Sequence, residues 1–244
     1  MPPEGAAAPL PAADPSLLRA ASTPRAREEW RNRVHAEYRS AAVTAQVLQW
    51  SIRFGLPRAV QDTAHRIVRD ELDHAALSHR CWVALGGDGE PLELDESELA
   101  APDDPAGPLA SLLETILYSF CFGETLAVPL FSEMRRQARL PAARAALDRI
   151  LRDEAVHRAF AWDALAALVA LDPPGVQAWV GGRLPQVTAR FRSAYGEVPD
   201  GTPLSPAEEA AGLLAPERYR AIFAETLEGE IRPRLARLGL PTGA

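Results

Sequence analysis

One short motif occurs twice in this sequence, and the repeat constrains the fold more than any other feature. Arg-Asp-Glu-x-x-His stands at residues 69–74 and again at 152–157. A Glu and a His three residues apart lie on the same side of a helix. The pairs Glu71 with His74 and Glu154 with His157 can therefore each direct a carboxylate oxygen and an imidazole nitrogen at a metal ion. Chance produces isolated pairs of this kind, but it does not explain the repeated Arg and Asp.

Two further glutamates occupy positions where helix packing favours apolar residues. Around Glu124, the residues three, four and seven positions away on either side are apolar, and Glu37 shares its helix face with Val34 and Ala41. A buried carboxylate without a partner either takes up a proton or finds a cation. We therefore predict six metal ligands, with Glu37 included mainly because it completes the set: Glu37, Glu71, His74, Glu124, Glu154 and His157.

Proline, glycine and capping residues divide the chain into helices. Long helices are predicted at about 24–54, 57–85, 109–139 and 141–171, and shorter helical stretches near 175–195 and 216–238. Residues 86–108 are acidic and are broken by prolines and glycines, which is typical of a connection. Two short connections and one long one predict an all-α four-helix bundle, with a crossover between its second and third helices and additional C-terminal helices.

We expect one domain over residues 23–244, consisting of a core bundle at 23–172 and a C-terminal helical extension at 173–244. Residues 1–22, rich in Pro and Ala, are predicted to be a disordered tail. Pro129 lies five residues after Glu124 and lacks the N–H that would bond the carbonyl of Thr125. The third helix is therefore predicted to bend or bulge beside the candidate ligands.

The ligand set resembles that of the ferritin-like superfamily of dimetal-carboxylate proteins. In those bundles, one Glu from each of two helices joins a Glu-x-x-His pair from each of the other two. The resemblance covers about residues 25–172 and implies that Glu71 and Glu154 bridge the two ions, with Glu37 and Glu124 more terminal. Within the superfamily, the sequence RDEAVHRAF at 152–160 is similar to the corresponding helix of the bacterial aldehyde-deformylating oxygenases.

Metal-bound histidines usually donate their second ring N–H to a carboxylate. Asp70 and Asp153, each directly before a motif glutamate, are the candidates for this role. The resemblance implies a crossed arrangement in which Asp70 meets His157 and Asp153 meets His74. The motif arginines, Arg69 and Arg152, are predicted to pair with these aspartates.

Four carboxylates and two imidazoles suit a pair of Fe or Mn ions, and a mixed Mn/Fe pair also fits, whereas zinc prefers fewer ligands. The resemblance implies dioxygen as co-substrate. The preferred function is an oxygenase or oxidase acting on a small hydrophobic organic substrate, because residues 173–244 could cover a substrate pocket. A ferroxidase or a peroxide-reducing enzyme is the alternative, and a binding protein that has lost the reaction is a third. No catalytic residue is predicted beyond the metal ligands.

Composition limits the binding partners and the cellular compartment that can be expected for this protein. The net charge of -7, without a basic stretch free of acids, argues against nucleic acid. Cys81 and Cys121 lie within helical patterns, which excludes a four-cysteine iron site and favours the reducing cytoplasm. No uninterrupted apolar run is long enough for a membrane span. An external electron donor and a homodimer are both compatible with the sequence.

Overall fold

The computed structural model describes residues 13–90, 92–198 and 201–243, and all regular structure in these ranges is helical. A short helix α1 (Pro15–Ala21) precedes α2 (Pro24–Arg53) and α3 (Arg58–Ala84), the first two helices of the bundle. A single turn, α4 (Glu96–Leu99), lies in the long crossover. This order matches the predicted hairpin and crossover.

The second half of the bundle consists of one composite helix and one regular helix. The composite helix begins as α5 (Pro108–Thr115), continues as a π-helical segment (Ile116–Glu124) and ends as α6 (Thr125–Gln137). It is followed by α7 (Pro141–Leu171). The predicted four-helix bundle with a crossover is thus confirmed, with helix ends within three residues of those expected.

The C-terminal extension is also helical. It contains α8 (Pro173–Phe191), α9 (Pro206–Ala210), α10 (Pro216–Thr226) and α11 (Arg232–Arg237), with π-helical turns at Arg192–Gly196 and Leu227–Ile231. Hydrogen bonds join it to the bundle: Trp30 Nε1 donates to the carbonyl of Ala211 over 2.8 Å, and the amides of Arg139 and Leu140 donate to the carbonyl of Ala210. The extension is therefore attached to both α2 and the turn between α6 and α7.

Local sequence explains where the long helices begin and end. The Thr23 hydroxyl accepts a hydrogen bond from the amide of Ala26, and Pro24 occupies the first turn of α2. Gly55, with a φ of 65°, and Gly86, with a φ of 89°, stand in the left-handed conformation just after α2 and α3. The turn between α2 and α3 is short, so the two helices run antiparallel.

The prediction of a disordered tail over residues 1–22 is wrong for residues 15–21. Residues 15–21 form α1, whose N-cap Asp14 accepts hydrogen bonds from the amides of Ser16 and Leu17. Ala21 is fully buried in the main core. A side-chain cap and a few apolar contacts were enough to order this helix. Residues 1–12 lie outside the described part of the chain.

Within the described residues, the composite helix Pro108–Gln137 is long and apolar enough to cross a membrane by length and composition. Half of its most apolar stretch is buried inside the protein. It also packs against α7 and carries the buried Glu124. We therefore interpret it as a core helix of the bundle.

A matched pair of substitutions on α7 tests where the core lies. Leu165 is fully buried, whereas Leu171, on the same helix, is 52% exposed. We expect Leu165→Ala to lower the free energy of unfolding by about 2–5 kcal/mol, because it leaves a cavity. Leu171→Ala should change it by less than about 0.5 kcal/mol. Urea denaturation of both variants measures the difference, and equal losses would contradict this assignment of the core.

Candidate metal centre

The six predicted ligands come from all four bundle helices and are all buried. Glu37 lies on α2, Glu71 and His74 on α3, Glu124 at the end of the π-helical segment, and Glu154 and His157 on α7. None of them is more than 9% exposed. The bundle thus carries four carboxyl groups and two imidazoles into its interior.

Glu71 faces both histidines. Its Oε2 lies 3.2 Å from Nδ1 of His74, and its Oε1 lies 3.6 Å from Nδ1 of His157. Glu154 also contacts both rings, at 3.8 Å from Nδ1 of His74 and 3.7 Å from Nδ1 of His157. Glu37 Oε2 is 3.7 Å from Nδ1 of His74. Glu71 and Glu154, to which the resemblance assigns bridging roles, therefore lie between the two histidines.

Ligand atoms in the described residues form two groups, each compact enough to surround an ion. Glu37, Glu71 and His74 form one, and Glu71, Glu154 and His157 the other, with all atoms of a group within 4.8 Å of one another. Glu71 belongs to both groups. Glu124 belongs to neither group, although it is buried and interacts with Glu154.

Burial favours the protonated form of three of these carboxyl groups, those of Glu71, Glu124 and Glu154. Burial, aided by the neighbouring charges of Glu71 and Glu37, raises the pKa of Glu124 to about 8, although a hydrogen bond with Glu154 opposes the shift. Burial and repulsion from Glu124 raise the pKa of Glu154 well above its usual value. Burial likewise raises the pKa of Glu71. The interior therefore favours cations over bare negative charge.

The two imidazoles differ in their protonation. Burial alone would lower the pKa of His74, but hydrogen bonds with Glu37 and Glu71 raise it to about 10. Burial lowers the pKa of His157. Neither ring nitrogen of His157 has a hydrogen-bond partner, and neither has Glu154 Oε2. Buried polar atoms without partners are rare, so these atoms fit metal ligands that would be satisfied by an ion.

Asp70 and Asp153 lie behind the histidines in the crossed arrangement. Nε2 of His74 is 3.3 Å from Asp153 Oδ2, and Nε2 of His157 is 3.7 Å from Asp70 Oδ2. Each aspartate is only 1% exposed. Both imidazoles therefore turn Nδ1 towards the glutamates and Nε2 towards an aspartate, which would fix their orientation for a metal ion.

Three arginines contact these aspartates, and only one of them, Arg152, was predicted from the sequence. Arg149 donates from Nε to Asp153 and from Nη2 to Asp70 Oδ1 at 3.2 Å, and Arg66 donates to Asp70 Oδ2 at 3.1 Å. Arg152 contacts Asp153 from the surface at 3.3 Å, while Arg69 is exposed. The missed signal is in the sequence: both motifs extend to Arg-Ile-x-Arg-Asp-Glu-x-x-His, at 66–74 and 149–157.

A serine on α2 was also missed. The Ser40 hydroxyl donates a hydrogen bond of 2.6 Å to Glu71 Oε1. Ser40 lies one turn after Glu37 and so shares its helix face. The sequence alone could not identify Glu71 as its partner, because that requires the register of α2 against α3.

The predicted distortion of the third helix is present, but Pro129 does not mark its position. The π-helical segment spans Ile116–Glu124, whereas Pro129 lies inside the regular helix α6. π-Helical turns inside α-helices are frequent at functional sites. Here the distorted segment ends on Glu124 itself.

A four-helix bundle with this crossover and a buried carboxylate–histidine cluster defines the ferritin-like fold of dimetal-carboxylate proteins, and the chain has this fold. No protein-family model and no curated protein matches the sequence. Among solved structures, the chain is similar to a protein from Synechococcus described as having aldehyde deformylating oxidase activity. The two are 18% identical, with a TM-score of 0.53 over 91% of this chain and 94% of that chain. At this identity the similarity establishes the fold alone.

Arg149 provides a test of the support behind the histidines. We expect Arg149→Ala to weaken binding of Mn²⁺ by about 10- to 100-fold, because both aspartates lose a partner. The matched control is Arg152→Ala, since Arg152 also contacts Asp153 but is 66% exposed. It should change affinity by less than about twofold. Calorimetric titration of each variant compares them, and equal effects would contradict the structural role of Arg149.

The metal-free protein should lose stability as the pH rises. Between 4.5, the usual pKa of Glu, and about 8, the folded chain keeps a proton on Glu124 that the unfolded chain has released. The free energy of unfolding therefore falls across this window. Glu124→Gln imitates the protonated side chain and should make the chelator-treated protein more stable than wild type at about pH 8, but not at about pH 4.5.

The control for this prediction is Glu28→Gln, because the side chain of Glu28 is 59% exposed. The free energy of unfolding of this variant should depend on pH as that of the wild type does. Urea denaturation at several pH values measures all three proteins. A Glu124→Gln curve parallel to wild type would show that Glu124 is not protonated in the folded chain.

Proposed function

We propose that the protein is a non-haem dimetal oxygenase or oxidase that uses dioxygen to oxidise a small hydrophobic organic substrate. The observation that carries this proposal is the position of Glu71, shared between two buried Glu–His groups. Iron is the proposed metal. The ligand chemistry also accepts manganese or a mixed pair, because carboxylates and imidazoles suit both ions.

Each ligand has a proposed role in holding the ions. Glu37 and His74 would hold the first ion, Glu124 and His157 would hold the second, and Glu71 and Glu154 would serve both. When bound, a pair of reduced ions supplies two electrons to dioxygen. The chain contributes the rest: Asp70 and Asp153 orient the imidazoles, and the buried surroundings exclude water from the reaction.

Two features support an organic substrate over ferroxidation alone. The similar Synechococcus protein is described by an activity on aldehydes, which makes hydrophobic aldehydes the first substrates to try. In addition, the C-terminal extension covers the π-helical segment that ends on Glu124. Phe191 of α8 packs edge-on against Phe122 and Tyr118, at ring distances of 5.2 and 5.9 Å, and also against Phe223 of α10.

The described cavities do not reach the candidate ligands. The apolar cavity, of about 190 Å³, is lined by α1, α3 and the start of α7, with Cys81, Leu85 and Leu140 among its residues. Cys81 lies on the same face of α3 as His74, about 10 Å further along the helix by its rise per residue. This cavity is the proposed position for the apolar part of a substrate, with side-chain movement opening the way to the ions.

The cellular compartment, the electron donor and the binding partners predicted from the sequence are also part of the proposal. Both cysteines are free and buried, in keeping with a cytoplasmic protein. The reaction would take electrons from an external donor where its stoichiometry requires them. A homodimer is compatible with the fold, and neither nucleic acid nor a membrane is proposed as a partner.

Anaerobic loading with ferrous iron followed by oxygen tests the function. We expect two irons per wild-type chain, oxygen uptake that accelerates when a hydrophobic aldehyde is added, and an oxidised or shortened organic product. Glu71→Ala should lose iron and oxygen uptake together, because both groups lose a ligand. Glu28→Ala is the exposed control. An oxygen electrode, iron analysis and mass spectrometry of the products provide the measurements.

The outcomes separate the alternatives. Oxygen uptake that yields only ferric product, whatever organic compound is present, would favour a ferroxidase. Rapid consumption of hydrogen peroxide without uptake of oxygen would favour the peroxide-reducing alternative. Fewer than two irons per chain would remove the dimetal assignment itself.

A further inference from the structure

The repeated motif divides the candidate ligands into two equivalent sets. We call Glu37, Glu71 and His74 the first half-site, and Glu124, Glu154 and His157 the second half-site. Glu37 corresponds to Glu124, and each motif residue on α3 corresponds to one on α7. A chain with true two-fold symmetry would treat both half-sites alike, so any difference between them needs an explanation.

The first difference is a hydrogen bond to the shared glutamate. Ser40 lies three residues after Glu37 and donates to Glu71 Oε1 over 2.6 Å. The equivalent position, three residues after Glu124, is Ala127. Alanine has no hydroxyl to donate, and Glu154 Oε2 has no hydrogen-bond partner. Glu71 therefore accepts a hydrogen bond from a hydroxyl on α2, whereas the equivalent position offers no such donor to Glu154.

The second difference concerns the histidines. Nε2 of His74 lies within hydrogen-bond distance of Asp153, at 3.3 Å, and its Nδ1 is 3.2 Å from Glu71. Nε2 of His157 is 3.7 Å from Asp70, and neither ring nitrogen has a hydrogen-bond partner. The first imidazole is thus fixed from both sides, whereas the second is not.

The third difference is the position of the remaining glutamate. Glu37 belongs to a compact ligand group with the other members of its half-site. Glu124 lies outside both groups, at the end of the π-helical segment. The three members of the first half-site therefore form one compact group, whereas in the second Glu124 interacts with Glu154 but lies outside the compact group that contains Glu154 and His157.

Fixed ligands bind a metal ion more tightly, because less conformational freedom is lost on binding. The Ser40 bond holds Glu71 Oε1 on one side and leaves Oε2 directed at Nδ1 of His74. Oε1 is also the oxygen that lies 3.6 Å from Nδ1 of His157. Ser40 therefore occupies the oxygen that faces the second half-site and leaves Oε2 free to serve the first ion. Partners of this kind typically change metal affinity by about 10- to 100-fold.

We propose that Ser40 is a positioning residue that makes the two half-sites unequal, so that the first half-site binds its ion before the second. The inference rests on the proposed dimetal function and adds an order of loading to it. The second half-site is completed only after the first ion is bound, when Glu71 is held by that ion and Glu124 joins Glu154 and His157.

Anaerobic titration of the chelator-treated full-length protein with Co²⁺ alone tests the order. Calorimetry gives the affinities, and the visible absorption of bound Co²⁺ reports its ligands. We expect two phases in wild type, the first at least about tenfold tighter than the second. Ser40→Ala should weaken the first phase by about tenfold, and Ser40→Thr, which keeps the hydroxyl, should restore it. Circular dichroism of the metal-free variants checks that each is folded.

The symmetry of the repeat supplies the matched variants. His157→Ala should leave the tight phase intact and remove the weak one, whereas His74→Ala should remove the tight phase. Ala127→Ser places a hydroxyl at the equivalent position and should leave the tight phase unchanged.

Three results would overturn the proposal. These are two ions bound in one indistinguishable phase, equal weakening of both phases by Ser40→Ala, and loss of the tight phase in His157→Ala. In each of these cases the wild-type protein would still bind two ions, so the dimetal function would stand. A wild-type chain that binds no Co²⁺ would instead remove the dimetal function together with this order.

Discussion

The rest of this structure depends on placing four carboxyl groups inside one helical bundle. Glu37, Glu71, Glu124 and Glu154 are at most 9% exposed, and removing charged groups from water costs free energy unless they are paired. A core of this kind is stable only if protons or metal ions neutralise it. Without metal, protons can neutralise it, because burial raises the pKa of Glu124 to about 8. A pair of divalent ions would do the same while leaving the carboxylates charged, which links stability to metal content.

Acidic and basic side chains alternate from this centre to the surface. The glutamates face the imidazoles, the imidazoles face Asp70 and Asp153, and these aspartates accept hydrogen bonds from Arg66 and Arg149. Exposure increases along the same path, from 1% for each aspartate to 31% for Arg149 and 48% for Arg66. Arg149 reaches aspartates on both α3 and α7, so one surface side chain ties the two motif helices together.

Much of the fold was predictable because short-range sequence signals determine it. Helix ends follow from prolines, glycines and caps, and Glu-x-x-His pairs follow from helix periodicity, so the four long helices and the burial of the six candidate ligands could be expected. Ser40 depends on the register of α2 against α3, which no single helix specifies. The π-helical segment could be placed near Glu124, but Pro129 was the wrong cause. The helix α1 was missed because a Pro- and Ala-rich composition hid one Asp cap.

The contacts of Arg66 and Arg149 with the motif aspartates could have been predicted, because their positions in the repeat are visible in the sequence. Each stands four residues before a motif aspartate, one helical turn away, and each is followed by a buried isoleucine. The shorter motif drew attention to Arg69 and Arg152, which point outwards from their helices. Extending a repeat in both directions until it ends would have identified the residues that support the site.

The crossed contacts between the two motifs also bear on how such a chain could arise. Asp153 serves His74, Asp70 lies behind His157, and Arg149 spans both helices, so each motif supports the ligands of the other. A single helical hairpin bearing one motif could build the same centre by pairing with an identical copy. Fusing the two copies removes the need for them to stay identical. Ser40 and Ala127, at equivalent positions, illustrate the freedom to diverge that gene fusion would provide.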